Sequence, residues 1–220
     1  MSARGGGPFG STIAAKAVMA VTGIILVAYI LGHVAGNLLI YRGPAAINGY
    51  GALLHRSMTL LWGVRILLLV AVILHIVSAV WLTRRSHAAR TTGYARREPQ
   101  ASTIASRTMR WGGLVILLFV VYHVLHLTTG TLHGASFAEG DVYGNVVSAF
   151  RVWWVSAIYI VAMVFLGLHL YHGIWSSGKT LGVQRATGHP FRRRVATVLA
   201  VAVWLGFTSI PVAVLAGFIR

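Results

Sequence analysis

Four histidines lie deep inside long apolar segments of the chain. They are His33, His75, His123 and His169. An ionisable side chain is expensive in hydrocarbon, so each of these imidazoles should face a polar partner or a bound metal. Two imidazoles on facing helices, at one depth in a dry bundle, can supply both axial ligands of an iron porphyrin. The histidines therefore indicate either metal ligation or hydrogen bonds between helices.

The segments that carry them are long enough to cross a membrane. The 220 residues are 57% hydrophobic and only 10% charged, with a mean hydropathy of +0.76, which is too apolar for a soluble domain. Five runs of about 20 residues match a hydrocarbon layer about 30 Å thick. We predict an all-α integral membrane five-helix bundle, a single domain over residues 1–220. The expected elements are an N-terminal arm at 1–15 and spans at about 17–40, 60–82, 109–129, 153–175 and 195–219.

The charges of the chain report its orientation. Nineteen Lys and Arg residues oppose three acids, and most of the positive charges lie between spans rather than in a nucleic-acid motif. The connections after the second and fourth spans are strongly basic, so both should be cytoplasmic, with the N-terminus inside and the C-terminus outside. The connections after the first and third spans are expected to be loops. The absence of cysteine excludes disulfides and a cysteine-ligated iron–sulfur cluster in this chain, and no cleavable signal peptide is apparent.

The depths of the histidines match in pairs. At 1.5 Å per residue, His33 and His123 lie about 6 to 8 Å into the outer half of the membrane. His75 and His169 lie about 6 Å into the inner half. A hydrogen bond to a neighbouring helix would explain any one of them, but four matched positions favour two bis-histidine haem sites. We predict an outer haem on His33 and His123, and an inner haem on His75 and His169.

Histidine doublets leave a choice of ligand. His126 follows His123 by three residues, and His172 follows His169 by three, so both members of each doublet share a helix face. The first members match the partner depth better, and we predict His126 and His172 near the haem edges, where they could bind a propionate or a quinone. Arg65 could pair with a propionate or extend to the outer interface, and Arg56 is a second candidate. The remaining histidines are expected to be solvated, in loops or in the basic connection: His55, His87, His133 and His189.

Several stretches of the chain resemble one family. They read STIAAKAVMAVTG, HVAGNLLIYRGPAAINGYG, LLWGVRILLLVAVILH, RRSHAARTTGY, SRTMRWGG and HLYHGIWSS, and they cover Ser11 to about Gly182. In this order they are similar to the cytochrome b membrane subunit of succinate dehydrogenase and fumarate reductase, in its single-chain, five-helix, di-haem form. In that family the first and third helices ligate one haem, and the second and fourth the other. The depths of the histidines indicate the same pairing.

The resemblance implies an anchor for a flavoprotein and an iron–sulfur subunit on the cytoplasmic side of a bacterial membrane. Such a subunit passes electrons between the iron–sulfur subunit and a quinone, for which the di-haem pattern favours menaquinone, in succinate:quinone oxidoreductase (respiratory complex II). Nothing in the chain resembles a flavin or dicarboxylate site, so it should not act on succinate itself. An anchor of a fumarate reductase or another quinone-linked dehydrogenase is an alternative, and a histidine-containing proton or metal transporter is an alternative of another class.

Two features concern protons and quinone. No Asp or Glu lies inside a predicted span, so a transmembrane proton path would have to use histidines, water or tyrosines such as Tyr122 and Tyr171. The resemblance supplies no role for His126.

Quinone reduction requires hydrogen-bond donors at the carbonyls. Five residues at the inner rim could donate, although helix capping and interface anchoring also explain them: Ser11, Thr12, Lys16, Trp175 and Ser176.

Overall fold

The computed structural model describes residues 10–89, 104–182 and 189–220, and all the regular structure within them is helical. Five of the helices are long and apolar enough to cross a membrane. The prediction of an all-α membrane protein with five spans is thereby confirmed. Most of the predicted N-terminal arm (residues 1–9) and parts of both basic connections (residues 90–103 and 183–188) lie outside the described residues.

The described part of the chain contains seven α-helices. In chain order they are α1 (Thr12–Asn37), α2 (Pro44–His55), α3 (Met58–Ala88), α4 (Ile104–His123), α5 (Val142–Arg151), α6 (Trp153–Thr180) and α7 (His189–Leu215). A 3-10 turn, Leu38–Arg42, continues α1, and a π-helical turn, Val124–Thr128, continues α4. The spans lie in α1, α3, α4 with its π turn, α6 and α7.

The two short helices α2 and α5 correct an expectation, because both fall in connections that were expected to be loops. Gly43, with φ at +92°, turns the chain after α1, and Pro44 then stands at the first helical position. Proline suits that position because its fixed φ is helical and its missing N–H would be unpaired there. At α5 the carboxylate of Asp141 accepts the Gly144 N–H at 2.9 Å, which is an N-cap. Gly43 and Pro44 thus separate α1 with its 3-10 turn from α2, and Asp141 begins α5.

Side-chain hydrogen bonds join α2 to α5. The Asn48 amide donates to Asp141 Oδ1 at 3.0 Å, and its carbonyl oxygen accepts the Tyr143 N–H at 2.9 Å. Beneath these bonds, Ile47 and Phe150 are buried in one apolar cluster with the end of α7. We call this unit, Pro44–His55 with Val142–Arg151, the α2–α5 cap. It covers the end of the bundle where α1 ends and α6 begins.

The cap depends on an ionised carboxylate. The Gly144 N–H and then the Asn48 amide donate to Asp141, which holds the pKa of this carboxyl below its ordinary value of 3.8. Because the folded state binds the proton more weakly than the unfolded chain, this contribution to stability is complete above pH 3.8 and is lost as the pH falls through the lowered pKa.

We expect Asp141→Ala to destabilise the cap by about 1 kcal/mol, as the loss of an N-cap does. Amide hydrogen exchange of α5 at neutral pH measures this. The exposed Glu139→Ala serves as control, and equal exchange rates in the two variants would contradict the assignment.

The five spans pack against one another mainly through α1 and α6. Helix α1 packs against α3 and α6, and α6 packs against α4, while α7 lies against α1 and α6. Glycine allows the α1–α7 contact, because a Cβ on Gly206 would stand 2.6 Å from Val34 Cγ2. Within the described residues, α3 makes no extensive contact with α4 or α6, nor does α1 with α4. The helices of the pairs α1–α4 and α3–α6 are therefore not packed directly against each other.

Candidate metal centres

The structure brings the four span histidines together in two pairs. The ring centroids of His33, on α1, and His123, the last residue of α4, are 5.9 Å apart, and the ring planes are at 79°. The rings of His75, on α3, and His169, on α6, are 6.2 Å apart at 59°. These are the pairs expected from the depths, and each spans a pair of helices that do not pack directly. That any of the four binds iron stays a prediction.

The ring separations fit one metal ion between each pair. Nitrogen ligands of first-row metals bind at about 2 Å, and an imidazole centroid lies about 1 Å beyond its nitrogen, so two imidazoles that bind one ion would have centroids up to about 6 Å apart. Among the described residues, no hydrogen bond joins the two rings of either pair, although His75 and His123 each bond to a neighbouring helix through Nδ1. The same residues contain no group of three or more His, Cys, Asp or Glu that could hold an ion. Two protein ligands per site therefore suit a metal whose other ligands belong to a porphyrin.

The environment of His75 suits a ligand that binds through Nε2. Its Nδ1 lies 3.1 Å from the Met19 carbonyl oxygen and 3.3 Å from the Thr22 hydroxyl. When Nδ1–H donates to the carbonyl, the lone pair of Nε2 remains for a metal, and metal-binding histidines commonly have such a partner. Gly23 lies against the ring, since a Cβ there would be 3.3 Å from His75 Cε1. The first span therefore both orients this imidazole and leaves room for it.

The ring of His169 contains an unsatisfied atom. Its Nδ1 is buried and has no hydrogen-bond partner in the structure, which is costly for a polar group. Gly113 lies beside the ring, because a Cβ there would be in van der Waals contact with His169 Cε1 at 3.9 Å. The ring faces that of His75 at 6.2 Å across two helices that do not pack directly, so a group bound between them could be held by the Nε2 atoms of both rings. The residues present fit a haem here.

Aromatic rings surround the His33–His123 pair. Tyr29 stacks on His33 with a centroid distance of 5.4 Å, and Phe207 of α7 lies 5.6 Å away. Asn37 donates to the backbone carbonyl of His33 at 2.8 Å and also lies 3.3 Å from its ring Nδ1. On the other side, the ring of Tyr159 lies 5.9 Å from His123 and 4.8 Å from Phe150 of the α2–α5 cap. Flat, apolar walls with few polar groups are typical of cofactor pockets.

His126 and His172 occupy different surroundings. His126 is buried, its Nδ1 lies 3.0 Å from the Tyr159 hydroxyl, and its ring stacks on His133 at 5.0 Å. His172 lies beside Trp175 with a ring distance of 6.3 Å. Neither ring pairs with an imidazole from a facing span, so the geometry favours the first member of each doublet as the ligand. Their predicted positions at haem edges stay predictions.

The remaining histidines differ partly from expectation. His133 is in a turn but is not simply solvated, because its Nε2 bonds with Ser148 Oγ at 3.0 Å. His55 ends α2 rather than lying in a loop, and His87 lies in the last turn of α3 rather than in the basic connection, 2.7 Å from an Arg110 nitrogen; both side chains are exposed. The helices run past the boundary that hydropathy marks. His189 begins α7.

The other proposed site residues lie near the ends of the spans. Arg65 is half-buried and its guanidinium lies over the Trp62 ring at 5.1 Å, while Arg56 is exposed after the last residue of α2. Ser11 caps α1 by accepting the Ala14 N–H at 3.1 Å. The other quinone candidates are Thr12 and the exposed Lys16 on the first turns of α1, and Trp175 and Ser176 on the last turns of α6.

Positive charge collects at Trp175. The Lys179 ammonium lies 3.9 Å from its ring centroid, and the Arg193 guanidinium of α7 lies 4.9 Å away. Cations over an indole face are attracted by the ring quadrupole. This end of the bundle therefore presents a basic surface opposite the end that carries the α2–α5 cap.

Comparison with known proteins defines the class. The family model of the succinate dehydrogenase/fumarate reductase transmembrane subunit matches residues 83–209. No curated protein and no solved structure matches the chain. The chain therefore belongs to the succinate dehydrogenase/fumarate reductase transmembrane subunit family, as the resemblance predicted. The match includes His123 and His169, whereas His33 and His75 precede it.

Proposed function

We propose that this protein is the di-haem cytochrome b membrane anchor of a succinate:quinone oxidoreductase. The observation that carries the proposal is the meeting of four span histidines in two pairs, with ring centroids 5.9 and 6.2 Å apart. His33 and His123 would hold one haem, and His75 and His169 the other. Bound haem would supply reversible one-electron oxidation and reduction of iron. The chain's own contribution is to hold two such groups at different depths in a dry bundle.

The charge distribution supports the orientation and the partners. The positive-inside rule places the end with Trp175 and Lys179 on the cytoplasmic side and the α2–α5 cap outside. A flavoprotein and an iron–sulfur subunit would dock on the cytoplasmic side, in a bacterial cytoplasmic membrane. His75 and His169 would then lie on the side of the iron–sulfur subunit, and His33 and His123 nearer the outer surface.

A quinone site at the inner rim completes the proposal. The candidates on the first turns of α1 and the last turns of α6 provide hydroxyl, ammonium and indole donors for quinone carbonyls. Menaquinone is the proposed quinone. The spans contain no carboxylate, so protons would reach this site from the rim rather than through an acidic residue inside the membrane.

A fumarate reductase anchor is the second candidate, since the family that matches includes both enzymes. The two differ in the direction of electron flow, so the soluble subunits that copurify and the substrate that changes the haem redox state separate them. A metal transporter receives less support, because the described residues hold no cluster of three metal-binding side chains. A proton transporter receives less support because the spans contain no carboxylate.

The proposal predicts a pigmented complex. Purified with its soluble partners, the protein should show a b-type optical spectrum with about two haems per chain, because each histidine pair would hold one haem. Addition of succinate should reduce haem within the complex, and added quinone should reoxidise it. Haem content by pyridine haemochromogen assay and spectra under anaerobic conditions measure both. A complex that contains no haem and retains full quinone reductase activity would overturn the proposal.

A further inference from the structure

One tyrosine connects two histidines of the preceding span. The hydroxyl of Tyr159, on α6, lies 3.4 Å from Nδ1 of His123 and 3.0 Å from Nδ1 of His126. Tyr159 and His126 are 6% and 3% exposed, so these polar atoms meet away from solvent. A phenol has one proton, and it can therefore donate to only one of the two imidazoles.

Metal binding by His123 fixes the direction of these bonds. With Nε2 as the metal ligand, Nδ1 of the neutral His123 ring carries the proton and donates to the Tyr159 oxygen. The hydroxyl proton of Tyr159 is then directed to Nδ1 of His126, which accepts it. Bonds that run in one direction polarise one another in a low-dielectric interior, so the second bond strengthens the first.

The local fold holds this arrangement in place. The π turn begins at Val124, directly after His123, and places His126 beside the same hydroxyl. Such turns are rare and often occur at functional sites. The ring of His126 stacks on Tyr122 at 5.1 Å, and the ring of Tyr159 packs edge-on against Phe150 at 4.8 Å. The enclosing aromatic rings restrict both polar side chains to this geometry.

We propose that Tyr159, supported by His126, is a positioning residue for the iron ligand His123. It fixes the tautomer and rotation of the imidazole and increases electron donation to the metal, which stabilises ferric iron. At the other centre the corresponding partner is the Met19 carbonyl beside His75. The two haems then differ in the hydrogen bond that supports a ligand. This inference rests on the proposed function.

The test is the midpoint potential of the haem that His123 binds. Tyr159→Phe keeps the ring but removes the acceptor, so His123 donates less charge and the potential should rise. Partners of this kind contribute about tenfold or more to metal affinity. A tenfold effect on the ferric state alone would change the ferrous-to-ferric equilibrium tenfold, which is about 59 mV for one electron. Potentiometric titration of the purified wild-type and variant complexes, followed optically, should show one potential raised and the other unchanged.

Variants at neighbouring positions separate this role from general packing. His126→Phe removes the acceptor of the Tyr159 proton and should raise the same potential by a smaller amount. His126→Gln retains an acceptor oxygen and should restore part of that difference. Tyr122→Phe removes a hydroxyl from the same aromatic cluster without touching the two bonds, and should leave both potentials unchanged.

The outcomes distinguish this inference from the proposed function. A wild-type complex without haem overturns the proposed function. A wild-type complex with two haems, together with Tyr159→Phe at unchanged potentials, overturns the role of Tyr159 and leaves the proposed function standing. If Tyr159→Phe loses haem, His126→Phe provides the test instead. In a His126→Phe complex that retains haem, a raised potential supports the inference, and an unchanged potential overturns it.

Discussion

His123→Ala should reduce the haem content of the complex from about two to about one per chain, because one of the two histidines that would hold that haem is lost. His75 and His169 lie across the other pair of helices, so the remaining haem should keep its spectrum and potential. His169→Ala should remove that second haem instead, and the double variant should contain none. Haem content per chain and low-temperature optical spectra measure these changes.

The control for this series is a histidine away from both centres. His55 is exposed and its Nδ1 bonds to the Gly51 carbonyl of its own helix, so His55→Ala should retain both haems. The second histidine of the His123–His126 doublet provides another comparison, since His126→Ala should also retain two haems. Loss of haem in His126→Ala with retention in His123→Ala would show that the wrong member of the doublet was chosen.

Gly23→Leu should remove the other haem without changing any ligand. The glycine lies against His75, where even a Cβ would stand 3.3 Å from Cε1, so a leucine side chain must displace the imidazole. Overpacking of this kind costs about 1 to 3 kcal/mol, and iron binding requires the ring in place. We expect loss of most of the haem held by His75 and His169, with the haem held by His33 and His123 retained.

Gly32→Leu is the matched control for this substitution. It lies in the same helix, is exposed, and has no heavy atom within 4 Å of the position a Cβ would take. It should therefore keep two haems and the spectrum of the wild-type complex. Equal haem loss in the two variants would attribute the effect to α1 as a whole, and full retention in Gly23→Leu would contradict the position of His75.

The sequence alone was sufficient to locate the spans and to predict which histidines lie opposite each other. Hydrocarbon requires uninterrupted helices, and a helix rises by a constant amount per residue, so position in sequence converts directly into depth. His33 and His123 could be matched in this way without knowledge of packing. The same reasoning could not find α2 and α5, since short helices outside the membrane have neither the length nor the apolar run on which it depends.

The hydrogen-bond partner of His123 could not be predicted either, and the reason is different. Depth says nothing about rotation around a helix axis, and Tyr159 is one of many aromatic residues in the spans. Contact with His123 and His126 depends on how α6 packs against α4 and on the π turn at Val124. The spacing of the two histidines was the only visible signal, and it named no partner.

The packing of α3 along α1, with little contact elsewhere, has a consequence for assembly of the protein. On the proposed assignment, the bonds from iron to His75 and His169 supply much of what ties the second span to the fourth, so insertion of the cofactor is a step in building the tertiary structure. A cell starved of haem would then accumulate chains in which the second span packs against little besides the first span. These chains would be targets for membrane proteases before any soluble subunit could dock.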